Sequence, residues 1–232
     1  MPSVLVTGSN RGLGLEWVKQ YAQLGWRVYA TCRFPEQAED LQHLAMLHET
    51  ISIHQLDVTN DRQVSDILHE LDGYTLDLLI NNAGTYFEQW GKDKLGKINY
   101  ENWLETLDVN ILGAMRVTEA LRNHLARGDK RLVVAISSHM GSIEDISSPN
   151  DYAYRSSKAG LNATMKTLSY DLAPDQVGVL LLHPGWVKTR MGGDSAPLTP
   201  QQSVYNMRIL IDRFTLKKSG RFYRHDGSMI PW

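Results

Sequence analysis

Two kinds of apolar pattern alternate along this chain. Short runs in which nearly every position is apolar are followed by longer runs in which apolar positions recur every three or four residues. The first kind reads as buried strand and the second as amphipathic helix. "SVLVT" (3–7) is β-branched and apolar on both faces, and predicts a first strand. Further strands are predicted at 27–31, 51–58, 76–84, 131–138 and 177–185, with a short last one at 220–227. Between them, a helix from about Gly12 aligns Leu15, Val18 and Ala22. Others are predicted over 35–50, over 61–71 with Val64, Ile67, Leu68 and Leu71 on one stripe, over roughly 100–127, and over 151–172, where Pro174 stops it. Thr199, Pro200 and Gln202 read as N-cap, N1 proline and capping-box partner of a last helix over 200–213.

Continuously apolar strands alternating with helices call for a parallel sheet covered on both faces. The expected fold is one doubly wound, Rossmann-type α/β domain over 1–232, with a sheet of about seven strands. Such sheets bind ligands beyond the carboxyl ends of their strands. The unusual residues of this chain fall there: Gly8, Gly12 and Gly14 after the first strand, Asn81–Gly84 after the fourth, Ser138 after the fifth, and Pro184–Gly185 after the sixth.

Composition narrows the function. The 232 residues are 42% hydrophobic and 22% charged, with a formal net charge of −2. That gives no general attraction to nucleic acid or to an anionic membrane. No apolar run is long enough to span a bilayer, and the N-terminus lacks the pattern of a secretory signal. The single cysteine, Cys32, excludes an internal disulfide. A cytoplasmic protein is expected. The eight histidines show no metal-ligand spacing, so no metal is expected.

"TGSNRGLG" (7–14) joins the first strand to the first helix. Glycines let the backbone turn sharply and approach a ligand, and the helix N-terminus offers N–H groups and a positive dipole end to a phosphate. Gly8, Ser9, Asn10, Arg11, Gly12, Leu13 and Gly14 are therefore candidate cofactor contacts. An acidic residue after the second strand would bind the ribose hydroxyls of NAD. This chain has Arg33 there, and Arg11 inside the loop. Two guanidinium groups suit a 2′-phosphate, which favours NADP(H) over NAD(H). Asp57 and Val58, after the third strand, are placed to meet the adenine.

Tyr154 and Lys158 lie four residues apart, one turn along the same helical face. A tyrosine with its ordinary pKa of about 10 is a poor acid–base group at neutral pH. An adjacent ammonium would lower it towards the working range.

Taken together, T-G-x-x-x-G-x-G at 7–14, Asp57, N-N-A-G at 81–84, Asn110 in "LDVNILG", Ser138 in "ISSHMGS", Y-x-x-x-K at 154–158 and P-G-x-V-x-T at 184–189 resemble the short-chain dehydrogenase/reductase family. The resemblance covers nearly the whole chain. "YAYRSSKAGLNA", "LHPGWVKTRMGGDSAPL" and the ending "HDGSMIPW" are similar to the Sniffer-type carbonyl reductases and to C-factor-like bacterial proteins. The resemblance implies a catalytic set of Asn110, Ser138, Tyr154 and Lys158. Ser137 and Ser142 are the alternatives to Ser138, which is preferred because it ends the fifth strand. It also implies that Lys158 binds the nicotinamide ribose, that Asn110 holds a water linking Lys158 to solvent, that Asn82, Ala83 and Gly84 line the cofactor, and that Pro184, Gly185, Val187 and Thr189 surround the nicotinamide.

The expected activity is NADPH-dependent reduction of an apolar ketone, aldehyde or quinone, with Tyr154 as proton donor. His139, Met140, Trp186 and Met191 are the candidate substrate-pocket residues. The glycine-rich stretch 190–200 is a candidate lid. Two other readings stand beside this one: alcohol oxidation on the same site, and a C-factor-like signalling protein that binds the nucleotide without depending on turnover. The resemblance further implies a homo-oligomer, dimer or tetramer, paired through the helices around 100–127 and 151–172. No nucleic-acid or membrane partner is expected.

Overall fold

Val4, Leu5 and Val6 of strand β1 (Ser3–Thr7) have no exposed surface, so both faces of this strand are covered. The computed structural model describes residues 1–71, 73–88 and 94–232. β1 sits inside a seven-stranded sheet with β2 (Arg27–Cys32), β3 (Ile51–Gln55), β4 (Leu78–Asn81), β5 (Leu132–Ile136), β6 (Gly178–His183) and β7 (Arg221–Arg224). The strand order is β3-β2-β1-β4-β5-β6-β7 and every pairing is parallel. The order reverses between β1 and β4, in register from Val4 opposite Leu78 to Val6 opposite Ile80. A crevice opens at such a point, beyond the carboxyl ends of the strands.

Successive side chains of a strand point to opposite faces, and β1 shows the result. Leu5 joins a core with Leu79, Val117, Leu121, Leu125 and Met165, which lies under α3 (Asp61–Glu70), α5 (Ala114–Ala126) and α6 (Tyr152–Asp171). Val4 and Val6 join a second core with Trp17, Tyr21, Leu41, Val204 and Met207, under α1 (Gly12–Gln23), α2 (Glu39–Leu47) and α7 (Pro200–Asp212). The expected doubly wound α/β architecture is observed.

The fourth strand, expected over 76–84 and running into a loop, spans Leu78–Asn81, and three further expected elements change. The helix expected over 35–50 begins as a 3-10 turn at Pro35–Gln37, and α2 starts only at Glu39. Between them the buried Ala38 takes φ −94° and ψ 61°, outside the helical region. The third strand, expected to reach residue 58, ends at Gln55. Leu56 and Val58 are buried beyond it, which explains why the apolar run outlasts the ladder. The helix expected over 100–127 is interrupted. α4 (Tyr100–Leu107) passes into a π-helical turn, Asp108–Gly113, before α5. Single π turns inside helices gather at functional sites, and this one carries Asn110. No helix of the described residues is long and apolar enough to cross a membrane.

Candidate active site

The cofactor half of the crevice is assembled by Thr7 and the N-N-A-G segment. The Thr7 hydroxyl accepts from the backbone N–H groups of Asn82 and Ala83, each at 3.0 Å. The Asn82 amide donates to the carbonyls of Thr7 at 2.9 Å and Gly8 at 3.2 Å. Ser9 donates from its N–H to Thr31 O and from its hydroxyl to Val6 O, both at 2.8 Å. The glycine loop is thus fixed from β2 and β4 together. Gly8 and Gly12 use the left-handed region, with φ of +69° and +56°, where only glycine is free of a Cβ penalty. Arg11 precedes α1 with no side-chain cap, and the first turn of that helix holds no acid. Its leading N–H groups therefore remain open to an acceptor from outside. This donor set fits a dinucleotide phosphate.

Arg11 and Arg33 are both exposed. Burial pushes the Arg11 guanidinium down, and the neighbouring cations Arg190 and Arg33 add to this. Three guanidinium groups therefore share one field, and no ion pair joins any of them to a carboxylate among the described residues. Asp57 caps no helix: its Oδ1 accepts from the N–H and hydroxyl of Thr59, at 3.0 and 2.7 Å, while Asn60 caps α3. Val58 is buried against the position where a Gly113 side chain would begin, with Cγ2 2.5 Å from it.

The four expected catalytic residues converge at the ends of β4 and β5. Ser138, expected to end the fifth strand, lies two residues beyond the end of β5 at Ile136; it takes extended backbone angles, its hydroxyl accepts from the Met140 N–H at 3.2 Å, and it stands near enough to the Tyr154 phenol to lower its pKa. Ser137 instead donates to Asn162 at 2.6 Å, and Ser142 accepts from the Asp145 N–H at 3.3 Å, so neither alternative faces the tyrosine. Lys158 is buried and donates to Ile136 O at 2.9 Å. Asn110 is buried as well. Its carbonyl accepts from Thr85 N at 2.8 Å, and its amide donates to Thr85 O at 3.0 Å and Ser157 Oγ at 2.9 Å. Gly84 separates the two: a Cβ there would lie 3.2 Å from Asn110 Oδ1 and 3.6 Å from Lys158 Nζ.

The expected tuning of Tyr154 by Lys158 is not what the structure shows. Burial pushes the Tyr154 phenol up to about 12, opposed by the Ser138 hydroxyl, and burial pushes the Lys158 ammonium down to about 8. Lys158 Nζ lies 5.7 Å from the centre of the Tyr154 ring, and its hydrogen bond goes to a backbone carbonyl. Desolvation therefore outweighs the attraction between the two groups.

Of the expected substrate residues, Met191 is nearest the chemistry, its sulfur 4.0 Å from the Tyr154 hydroxyl. Trp186 is half exposed, and its Nε1 donates to Gly192 O at 2.7 Å. His139 turns to Asp145, at 2.6 Å, and to Arg224, at 3.3 Å, and Met140 is half-buried in the 3-10 turn His139–Gly141. The stretch expected as a lid is pinned at its base. Lys188 N donates to Leu198 O at 2.8 Å, and Leu198 N donates to Trp186 O at 3.3 Å. Pro184 and Gly185 bring it across the sheet edge, Gly185 at φ +83°. Val187 is buried, and Thr189 lies 3.5 Å from the Cβ position of Gly12.

Sequence reasoning missed Thr7, Arg190, Ser157 and the loop residues Tyr86 and Glu88. Thr7 and Ser157 sit inside the quoted motifs and only their neighbours drew notice. Nothing in the local sequence marks Tyr86 or Glu88, because their partners lie 65 or more residues away.

Residues 2–198 match the short chain dehydrogenase family model. The C-signal protein of Myxococcus xanthus is 41% identical over 157 residues, covering 68% of this chain and 93% of that protein. The carbonyl reductase Sniffer of D. melanogaster superposes with a TM-score of 0.90 at 36% identity, over 100% of both chains. The NADPH-bound carbonyl reductase from chicken fatty liver superposes with a TM-score of 0.92 at 31% identity, over 100% of this chain and 99% of that one. With its parallel sheet, glycine loop and Ser138–Tyr154–Lys158 cluster, the chain belongs to the short-chain dehydrogenase/reductase family.

Proposed function

We propose that this oxidoreductase reduces an apolar ketone, aldehyde or quinone with NADPH, using residues 1–232 as one nucleotide-binding domain. The observation that carries the reading is the clustering of Tyr154 with Ser138 and with Lys158, whose Nζ lies 5.7 Å from the phenol ring, beside buried Asn110 at the sheet's switch-point crevice. The Sniffer and chicken carbonyl reductase structures support the substrate class, and the NADPH in the latter supports the cofactor. Arg11 and Arg33 would hold a 2′-phosphate, and the N–H groups at the start of α1 a pyrophosphate.

The bound cofactor supplies the hydride. The protein does the rest. Ser138 donates a hydrogen bond to the carbonyl oxygen and fixes it beside the Tyr154 hydroxyl. Tyr154 passes its proton to that oxygen as negative charge develops on it. A phenol pushed up to about 12 is fully protonated at neutral pH, the form a general acid needs. Lys158 would exchange its bond with Ile136 O for ribose hydroxyls. Asn110 holds Thr85 and Ser157 in place. Met191 supplies apolar surface beside the phenol. Exposed Tyr100, Leu104 and Leu112, on α4 and the π turn, support pairing of two copies.

The similarity to C-signal supports a second reading, nucleotide binding in a signalling role. One assay separates them. The purified protein is mixed with NADPH or NADH and a panel of apolar quinones, aldehydes and ketones, and loss of reduced-nicotinamide absorbance is followed. Oxidation of NADPH, much faster than of NADH, is the expected result. Tight NADPH binding without oxidation across the panel would move the reading to the signalling role.

A further inference from the structure

Glu88 is a carboxylate with only 4% of its surface exposed, on the loop that follows the N-N-A-G segment. Its two oxygens accept from the backbone N–H groups of Ala153, at 2.8 Å, and Tyr154, at 2.7 Å. These are the second and third residues of α6, whose N–H groups have no acceptor within the helix. The residue in the N-cap position, Asp151, leaves them unserved. It takes a left-handed conformation, φ 56°, makes no side-chain cap, and accepts instead from the Tyr86 hydroxyl at 2.6 Å. The Tyr86 ring packs on the Tyr154 ring, with centroids 4.9 Å apart and planes at 59°. The same loop begins at Thr85, which is held at both backbone groups by Asn110. One short segment, 85–88, therefore ties the π turn to the first turn of α6.

We propose that Glu88 is a positioning residue for Tyr154, an inference that rests on the function proposed above. A carboxylate that spans two consecutive N–H groups fixes both the height and the rotation of the first helical turn. It thereby fixes where the Tyr154 hydroxyl stands relative to Ser138.

The test uses Glu88→Gln and Glu88→Ala in the full chain. Gln keeps one acceptor and removes the charge, while Ala removes both acceptors. Two readouts are taken at matched folded fraction, checked by urea unfolding. The first is kcat and KM for NADPH-dependent reduction. The second is spectrophotometric titration of the tyrosines without cofactor, with Tyr154→Phe as the blank that identifies the Tyr154 step. The expected result is a Tyr154 step displaced by about half a pH unit or more in both variants, as the phenol moves relative to Ser138. With it go a kcat loss of about tenfold in Glu88→Gln, a larger loss in Glu88→Ala, and KM for NADPH changed less than about threefold. An unshifted Tyr154 step, or a kcat within about twofold of wild type in Glu88→Ala, would overturn the proposal. Activity lost only in proportion to unfolding would do the same, by reducing Glu88 to an ordinary helix cap. The titration reads Glu88 even in a protein that turns over no carbonyl, so failure of the proposed function and failure of this inference are distinguishable.

Discussion

The buried Lys158 ammonium donates a hydrogen bond to the carbonyl of Ile136, at 2.9 Å. A single neutral acceptor does not replace the water a buried cation has lost, and the ammonium is pushed down to about 8. The sign of the consequence is fixed. Between about 8 and 10.5 the unfolded chain binds a proton at this lysine that the folded chain has released, so this residue makes stability rise with pH across that window. The full effect is about 3 kcal/mol at its upper end. Above 10, Tyr154 acts the other way. Its phenol, pushed up to about 12, holds a proton that the unfolded chain has lost, and its contribution falls from 10 towards 12. Urea unfolding of the wild type and of Lys158→Met from pH 7 to 10 checks this: the difference between them should move in favour of the wild type as pH rises. A pH-independent difference would show that Lys158 is not held neutral-prone by burial.

Replacing Tyr154 with Phe removes one hydroxyl from a half-buried ring and leaves its packing on Tyr86 intact. The protein should keep its fold and bind NADPH within about threefold of wild type, while turnover falls by 10²–10⁴-fold or about that range. Steady-state rates and fluorescence titration with NADPH separate the two effects. Turnover within a few-fold of wild type would take the general acid away from Tyr154.

Arg11 and Arg33 are exposed, share a field with Arg190, and lack carboxylate partners among the described residues. Removing either in an alanine variant should raise KM for NADPH about tenfold or more, the size of one charge-assisted hydrogen bond, and change KM for NADH by less than about threefold. Equal losses for both cofactors would place these arginines on the shared pyrophosphate or off the cofactor altogether.

Inner strands such as β1 and β5 were legible because they are buried on both faces, so that "VLV" and "LVVAI" have no polar position to blur the reading. The capping box at Thr199 and Gln202 was legible because all its parts lie within one turn, and both of its hydrogen bonds form. The π turn was not. Local periodicity sees only that Asn110 breaks an apolar stripe, whereas the reason lies in Thr85 and Ser157, which pull its side chain inward. The tuning of Tyr154 was misread for a related cause. The spacing of Tyr154 and Lys158 is visible in the sequence, but the burial that dominates both groups is a property of the packed molecule. Glu88 was invisible because it serves a helix 65 residues downstream.

Gly14 tests how far the glycine loop depends on shape. It lies inside α1 with no positive φ, where alanine has the better helix propensity by about 1 kcal/mol. The structure opposes that gain. A Cβ on Gly14 would overlap the Gly8 carbonyl and lie 2.8 Å from the Asn82 amide nitrogen, which itself donates to Thr7 O and Gly8 O. Backbone cannot swing aside as a flexible side chain can, so overpacking of about 1–3 kcal/mol or more should outweigh the propensity term. Gly14→Ala should therefore lower the urea midpoint, and the displaced Gly8 carbonyl should weaken NADPH binding at least tenfold or about that. Gly25 gives the control. It has φ +74° and nothing within 4 Å of its Cβ position, so Gly25→Ala carries only the left-handed strain of about 1–2 kcal/mol. It should lose stability and keep its NADPH affinity. If Gly14→Ala bound NADPH as tightly as Gly25→Ala does, the close approach of α1 to the loop would not be what shapes the phosphate site.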